Sequence, residues 1–161
     1  MKYSRVMCLV RGDDSDEEAI DTAVSLLSGN HRSLQFVHVI VVDRRFALDA
    51  PDPARYREGE RVLRDAESAT GLRGGVRGSI LQSRSIGPVL VREALDYGAE
   101  VIVATAKVLA TLNAKTIDSD AEYLMANAPC AVVLVREAAE GFEAASGQPD
   151  QQILMRANGD D

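Results

Sequence analysis

The sequence predicts an α/β domain built on a five-stranded parallel, doubly wound sheet with strand order 3-2-1-4-5. Three observations carry this. Four short segments are almost continuously apolar and rich in Val and Ile, as strands buried on both faces are. Stretches with apolar residues at helical spacing separate them. Strand and helix alternate five times, and the right-handed crossovers that parallel strands require put helices on both sheet faces.

The elements follow in order. Val6–Val10 is the first strand, and Ile20, Ala23, Val24 and Leu27 form the apolar stripe of the first helix. Phe36–Val42 is the second strand. From about Ala54 to Thr70 a thin stripe of Tyr56, Val62, Leu63, Ala66 and Ala69 runs among many charges, so this helix belongs on the outside of the domain. Val76–Gln82 alternates instead of being uniformly apolar, with Val76, Gly78 and Ile80 on one face and Arg77, Ser79 and Leu81 on the other, and reads as an edge strand. Ile86, Leu90, Ala94 and Tyr97 mark the third helix, Val101–Ala104 the fourth strand, and Ala121, Leu124, Met125 and Ala128 the fourth helix. Ala131–Val135 closes the sheet. Ser15 before Glu18 and Ser119 before Glu122 stand at capping-box spacing.

Composition narrows the function classes. The chain has 161 residues, 46% apolar and 27% charged, which is globular usage for one domain. The apolar runs are far shorter than the ~20 residues that span a bilayer, so membrane insertion is not expected. Val6–Val10 is too short for the core of a signal peptide, and no small-residue cleavage site follows it. Cys8 and Cys130 lie far apart with no ligand-spaced partner, which excludes a disulfide scaffold or zinc finger and points to a cytoplasmic location. Of the net charge of −7, the segment from Glu137 to Asp161 carries −5, six acids against Arg156 alone. Residues 1–137 are thus expected to form the domain and 138–161 a flexible acidic tail, with one short apolar patch at Ile153–Met155. The body gathers Lys and Arg into no stripe, and the whole chain holds only seven aromatics, so nucleic acid is not an expected partner.

Five pieces of sequence, taken in order, carry a resemblance. They are Tyr3-Ser4-Arg5-Val6; Ser15-Asp16-Glu17-Glu18-Ala19; the Leu34–Val41 strand with His38; Tyr97-Gly98-Ala99-Glu100-Val101-Ile102-Val103; and Ala128-Pro129-Cys130-Ala131-Val132-Val133-Leu134-Val135. Over about residues 3 to 136 the chain resembles the universal stress protein family. The resemblance implies a nucleotide crevice at the carboxyl ends of the strands, whose positions in this chain are Leu9, Arg11, Val41, Ala104, Thr105, Val108, Asp118 and Ser119. Members that bind ATP close the first strand with Asp and follow the fourth with Gly-x2-Gly-x9-Gly-Ser/Thr. In this chain the Asp position is Arg11, the glycine positions are Thr105, Val108 and Asp118, and only the hydroxyl of Ser119 is kept. A β-branched Val108 resists the positive φ a cradle glycine can adopt. Asp118 would set a carboxylate beside a polyphosphate, a repulsion of roughly 1–3 kcal/mol per charge pair.

The remaining residues have bland readings beside the functional ones. Ser119 is expected to cap the helix starting at Asp120, the phosphate role being the lesser reading. Lys107 and Lys115 are expected to be solvated, although with Arg11 they could hold a different anion. Arg11 is expected to form an internal ion pair with Asp13, Asp14 or Asp118. His38 reads as a hydrogen-bonded core histidine, His31 as solvated, and Cys130 as a small apolar residue. Asp13, Asp14, Asp16, Glu17 and Glu18 could be a metal cluster, but acids at a helix N-terminus are favoured by its dipole. Gly12-Asp13-Asp14-Ser15 lacks the paired glycines of a pyrophosphate-releasing loop.

No general base or Mg²⁺ ligand set is identifiable, so an enzyme is not expected. The function expected is a non-catalytic stress-response or regulatory module without a cofactor. The alternative is a nucleotide sensor with an altered phosphate loop for ATP or another adenine nucleotide, free-standing or serving a transporter. Ala131, Val132, Val133, Leu134 and Val135 form an uncharged edge strand, and such edges pair. In the family the last strands of two subunits pair antiparallel, which implies a homodimer here, with any further protein partner unidentified.

Overall fold

A computed structural model describes residues 2–136, so the acidic tail lies outside the described residues. Strand β1 (Arg5–Leu9) leads to helix α1 (Asp16–Leu26), and β2 (Ser33–Val41) to α2 (Pro53–Ala69). Then follow β3 (Val76–Ser83), α3 (Ile86–Tyr97) and β4 (Val101–Thr105). Two short strands, β5 (Val108–Ala110) and β6 (Lys115–Ile117), precede α4 (Ser119–Asn127) and β7 (Ala131–Val135). The sheet order is β3-β2-β1-β4-β7, all pairs parallel. With β7 as the fifth sheet strand, this is the predicted 3-2-1-4-5 order.

The strands alternate between two cores. Val6, Cys8, Val10, Val101 and Val103 face α1 and α2, meeting Ala19, Ile20, Ala23, Val62, Leu63 and Ala66. Met7, Leu9, Ile102 and Ala104 face the opposite way, onto Ile86, Leu90 and Ala94 of α3 and Leu124 of α4. Burial on both faces explains the uniformly apolar runs, since each such side chain contributes about 1.5–3 kcal/mol on leaving water.

The α2 stripe needs revision. Tyr56 and Ala69 are exposed, and the contact with the sheet instead runs through Gly59, Val62, Leu63 and Ala66. A Cβ on Gly59 would stand 2.9 Å from His38 Cδ2 and 3.1 Å from Ile80 Cδ1, so the missing side chain lets α2 lie against β2 and β3. His38 is a satisfied core histidine, its Nδ1 3.0 Å from the carbonyl oxygen of Val10. His31 is exposed, as expected.

Neither capping box forms. Ser15 has helical backbone (φ −69°, ψ −15°), and its hydroxyl donates to Asp13 Oδ1 instead of reaching along the helix. Ser119 is already inside α4. The cap is Asp118, whose Oδ1 accepts from the Ala121 N–H at 3.0 Å. An ionised carboxylate accepts an N-terminal amide at least as well as a hydroxyl, and its charge suits the helix dipole. The loop from Thr105 to Ser119 also holds an element the sequence reading lacked, the antiparallel β5–β6 hairpin.

Candidate functional site

The carboxyl ends of β1 and β4 define the crevice. After β1 the chain turns through Gly12, at φ +87°, where an added Cβ would stand 2.7 Å from Val62 Cγ2. This turn exposes two consecutive backbone amides. Both are taken by Asp16, the first residue of α1: Arg11 N–H donates to its carboxylate at 2.8 and 3.1 Å, and Gly12 N–H at 2.7 Å. Asp16 is buried, and burial raises its pKa above the ordinary value. The two amide bonds pull in the other direction, and the charge of Asp13 adds to the rise.

The second amide set lies after β4. Lys107 N–H donates to Asp118 Oδ2 at 2.6 Å, Asp118 N–H donates to the Lys107 carbonyl at 2.9 Å, and Asp118 Oδ1 holds Ala121 N–H. One carboxylate therefore closes the base of the hairpin and caps α4 together. A third acid does the same for α3. Ser85 makes no side-chain cap bond there, and Asp120, reaching across from α4, accepts from Ile86 N–H at 3.2 Å and Gly87 N–H at 2.8 Å.

Amides at helix starts and after strands are the groups that phosphates ordinarily bind in this kind of sheet. Here three side-chain carboxylates stand as internal anions on six of them. In the sequence Asp16 reads as one of a helix-terminal acid cluster and Asp120 only as a helix start. Their spacing in sequence carries no signal, because the amides they serve lie on other turns or another helix.

The structure brings Arg11 and Thr105 together: Arg11 Nε donates to Thr105 Oγ1 at 3.2 Å. The expected ion pair of Arg11 is not formed. Among the described residues Asp13 pairs instead with Lys107, at 4.0 Å, and Asp118 is committed to backbone amides. Both lysines of the loop are exposed, as read from the sequence. Leu9 and Ala104 are buried with side chains in the second core, so only their backbone borders the crevice. Thr105 is buried, whereas Val108 projects from the hairpin, paired in register with Ile117. Val41 is apart from this group at the end of β2, where its carbonyl accepts from Arg55 Nη1 at 2.7 Å. Arg84 fastens the chain beyond it, donating to the carbonyls of Val42 (3.1 Å), Asp43 (2.5 Å) and Phe46 (2.8 Å). A cavity of about 440 Å³ opens there between Val41, Phe46, Pro51 and Gln82.

A second cavity, about 300 Å³, lies between α1 and α2. Asp13, Asp14, Glu17, Asp21 and Asp65 line it against Arg61 alone, a wall that repels anions. Among the described residues no group of His, Cys, Asp or Glu is arranged to hold a metal, and no helix is long and apolar enough to cross a membrane.

The chain matches the universal stress protein family over residues 2–136. It belongs to that family. Solved structures agree on the fold. A universal stress protein from Archaeoglobus fulgidus is 18% identical, with a TM-score of 0.64 over 82% of this chain and 98% of that one. A universal stress protein family member from Burkholderia pseudomallei is 28% identical, with a TM-score of 0.58 over 83% and 96%. A structure of the Archaeoglobus fulgidus universal stress protein in complex with dAMP is 18% identical, with a TM-score of 0.60 over 83% and 98%. A comparison with curated proteins returns no match. The universal stress protein domain of this chain thus shares its sheet with nucleotide-bound relatives, while its own carboxylates stand on the crevice amides.

Proposed function

We propose that this universal stress protein domain is a non-catalytic, cytoplasmic stress-response or regulatory module that works as a homodimer and does not hold ATP through a phosphate loop. The observation that carries the reading is the double engagement of Asp118, on Lys107 N–H and on Ala121 N–H at the start of α4. A polyphosphate would have to displace this carboxylate or lie against it, and either costs free energy that a glycine at the position would not. Arg11, Thr105 and Val108 stand at the other positions where ATP-binding relatives carry Asp or Gly. The homodimer reading rests on the apolar β7 edge, and residues 138–161 are read as a tail without a fold of its own. Titration calorimetry decides the ATP question: no saturable heat up to about millimolar ATP is expected, and micromolar binding by the unmodified chain would overturn the reading.

One observation favours a second reading, a sensor for a nucleoside monophosphate. The Arg11 guanidinium is spent on one threonine hydroxyl and pairs with no carboxylate among the described residues, leaving donors for a single phosphate. The dAMP complex of a relative supports the same ligand class. Titrating dAMP and AMP beside ATP separates the two: binding of a monophosphate that Arg11→Ala abolishes establishes the sensor.

A further inference from the structure

The β5–β6 hairpin stands out from the domain on a narrow foot. Its three residue pairs are Val108 with Ile117, Leu109 with Thr116 and Ala110 with Lys115, closed at the tip by Thr111 N–H donating to the Ala114 carbonyl at 2.8 Å. The foot is fixed by Asp118 on Lys107, and Thr116 Oγ1 reaches Glu122 at 3.0 Å. The apolar side chains above it are uncovered: Leu112 is 102% exposed, Leu109 48% and Val108 39%. A two-stranded ribbon is marginal in water by itself; Val108 shares one of its faces with Ala110, Ile117 and Lys115, and Leu109 lies on the other.

Chain path and charge point to one occupant. Ala106 N–H donates to the Val135 carbonyl at 2.8 Å, so the chain beyond β7 departs beside the foot of the hairpin. Ile153-Leu154-Met155, the single apolar patch beyond Val135, follows 17 intervening residues. A random coil of that length has an r.m.s. span of about 20–25 Å. Residues 106–117 carry Lys107 and Lys115 and no acid, whereas residues 136–161 carry six acids against Arg136 and Arg156. The two segments are opposite in charge and alike in their aliphatic content.

We propose that Ile153–Met155 of the same chain dock on Leu112 and on the hairpin face that carries Val108, Ala110 and Ile117, with the flanking acids facing Lys115 on that face. The contact is an intramolecular cover for the hairpin beside the crevice. It is independent of whether the crevice holds a ligand. Tethering at roughly millimolar effective concentration lets so small a contact be occupied most of the time without contributing much to folding.

Amide hydrogen exchange on the full chain tests this. Compared with a full-length variant carrying Ile153→Asp, Leu154→Asp and Met155→Asp, the natural chain should exchange the amides of residues 108–117 about tenfold more slowly, with β1 amides unchanged. The substituted positions lie outside residues 2–136, which the described fold comprises, so the variant leaves the sequence of that domain unchanged. Leu112→Asp should in turn speed exchange at residues 153–155. Equal hairpin exchange in the natural and triple-variant chains would overturn the proposal. So would hairpin protection that rises with protein concentration, which would mean that a second copy supplies the cover.

Discussion

Two borders of this sheet present rows of backbone groups, and they are finished in opposite ways. At the carboxyl ends of the strands, Asp16, Asp118 and Asp120 bring side-chain carboxylates onto the amides of Arg11, Gly12, Lys107, Ala121, Ile86 and Gly87. Along the outer edge of β7, the run Ala131–Val135 carries no charge and no proline, and its one sheet neighbour in the described chain is β4. The opposite outer strand, β3, is blunted in the ordinary way, with Arg77 exposed and drawn 4.5 Å above the Tyr97 ring. The difference teaches where this domain has invested its interactions. Carboxylates hold six amides of its crevice border, whereas the outer side of β7 meets no other strand among the described residues, and the proposed homodimer rests on that edge.

The largest effect is expected from breaking the open border. Val133→Lys puts an ammonium in the middle of the pairing edge, and sedimentation should show the proposed dimer weakened at least about 100-fold, to monomer at micromolar concentration. Gln82→Lys on the exposed β3 should leave assembly unchanged. A natural chain that is already monomeric at that concentration would remove the open-border half of the comparison.

The closed border comes next. Asp118→Ala removes the α4 cap and the bond from Lys107 N–H together, so a loss of about 2 kcal/mol is expected in urea unfolding. Asp120→Ala leaves two α3 amides without their acceptor and should cost about 1 kcal/mol. If Asp118→Ala cost nothing, the carboxylate would not be closing the border.

Acidification sharpens the comparison through sign. Burial holds the pKa of Asp16 above its ordinary 3.8, so the folded state binds that proton more tightly than the unfolded chain. Its contribution is complete below about pH 3.8 and is lost as pH rises through the folded value. Glu100, at the amino ends of the strands, behaves oppositely. Its carboxylate accepts from Ser4 N–H (2.6 Å) and Arg5 N–H (3.2 Å), which lowers its pKa from 4.5, so its stabilisation is present above that pH and fades on acidification. Urea unfolding from pH 3 to 7 should therefore show the natural chain losing ground to Asp16→Asn as pH rises and gaining ground on Glu100→Gln. The smallest effect is expected from the tail: deleting residues 141–161 should move the melting temperature by no more than a few degrees.

The layered architecture was legible because burial on both faces leaves a one-dimensional trace. Val6–Val10 and Val101–Ala104 must be apolar throughout wherever the neighbouring strands lie, and Val76–Gln82 must alternate if one side meets solvent. The family was legible for a related reason, since the five matching pieces are mostly strands and helix starts on which the sheet depends. By contrast, Ser15 and Ser119 stand at correct capping spacing, yet Ser15 turns back to Asp13 and Asp118 takes the cap of α4. Spacing cannot decide between two acceptors one residue apart when the second also reaches Lys107, eleven residues away. Arg11 was given the wrong partner, because Asp13 is drawn to the Ser15 hydroxyl and Lys107, and Asp118 to backbone amides. Sequence by itself determined which residues leave water and in what layered order. Tertiary structure alone decided where each carboxylate goes, because a hydrogen bond depends on a few ångströms between groups that folding brings together, and that distance leaves no periodic mark in the chain.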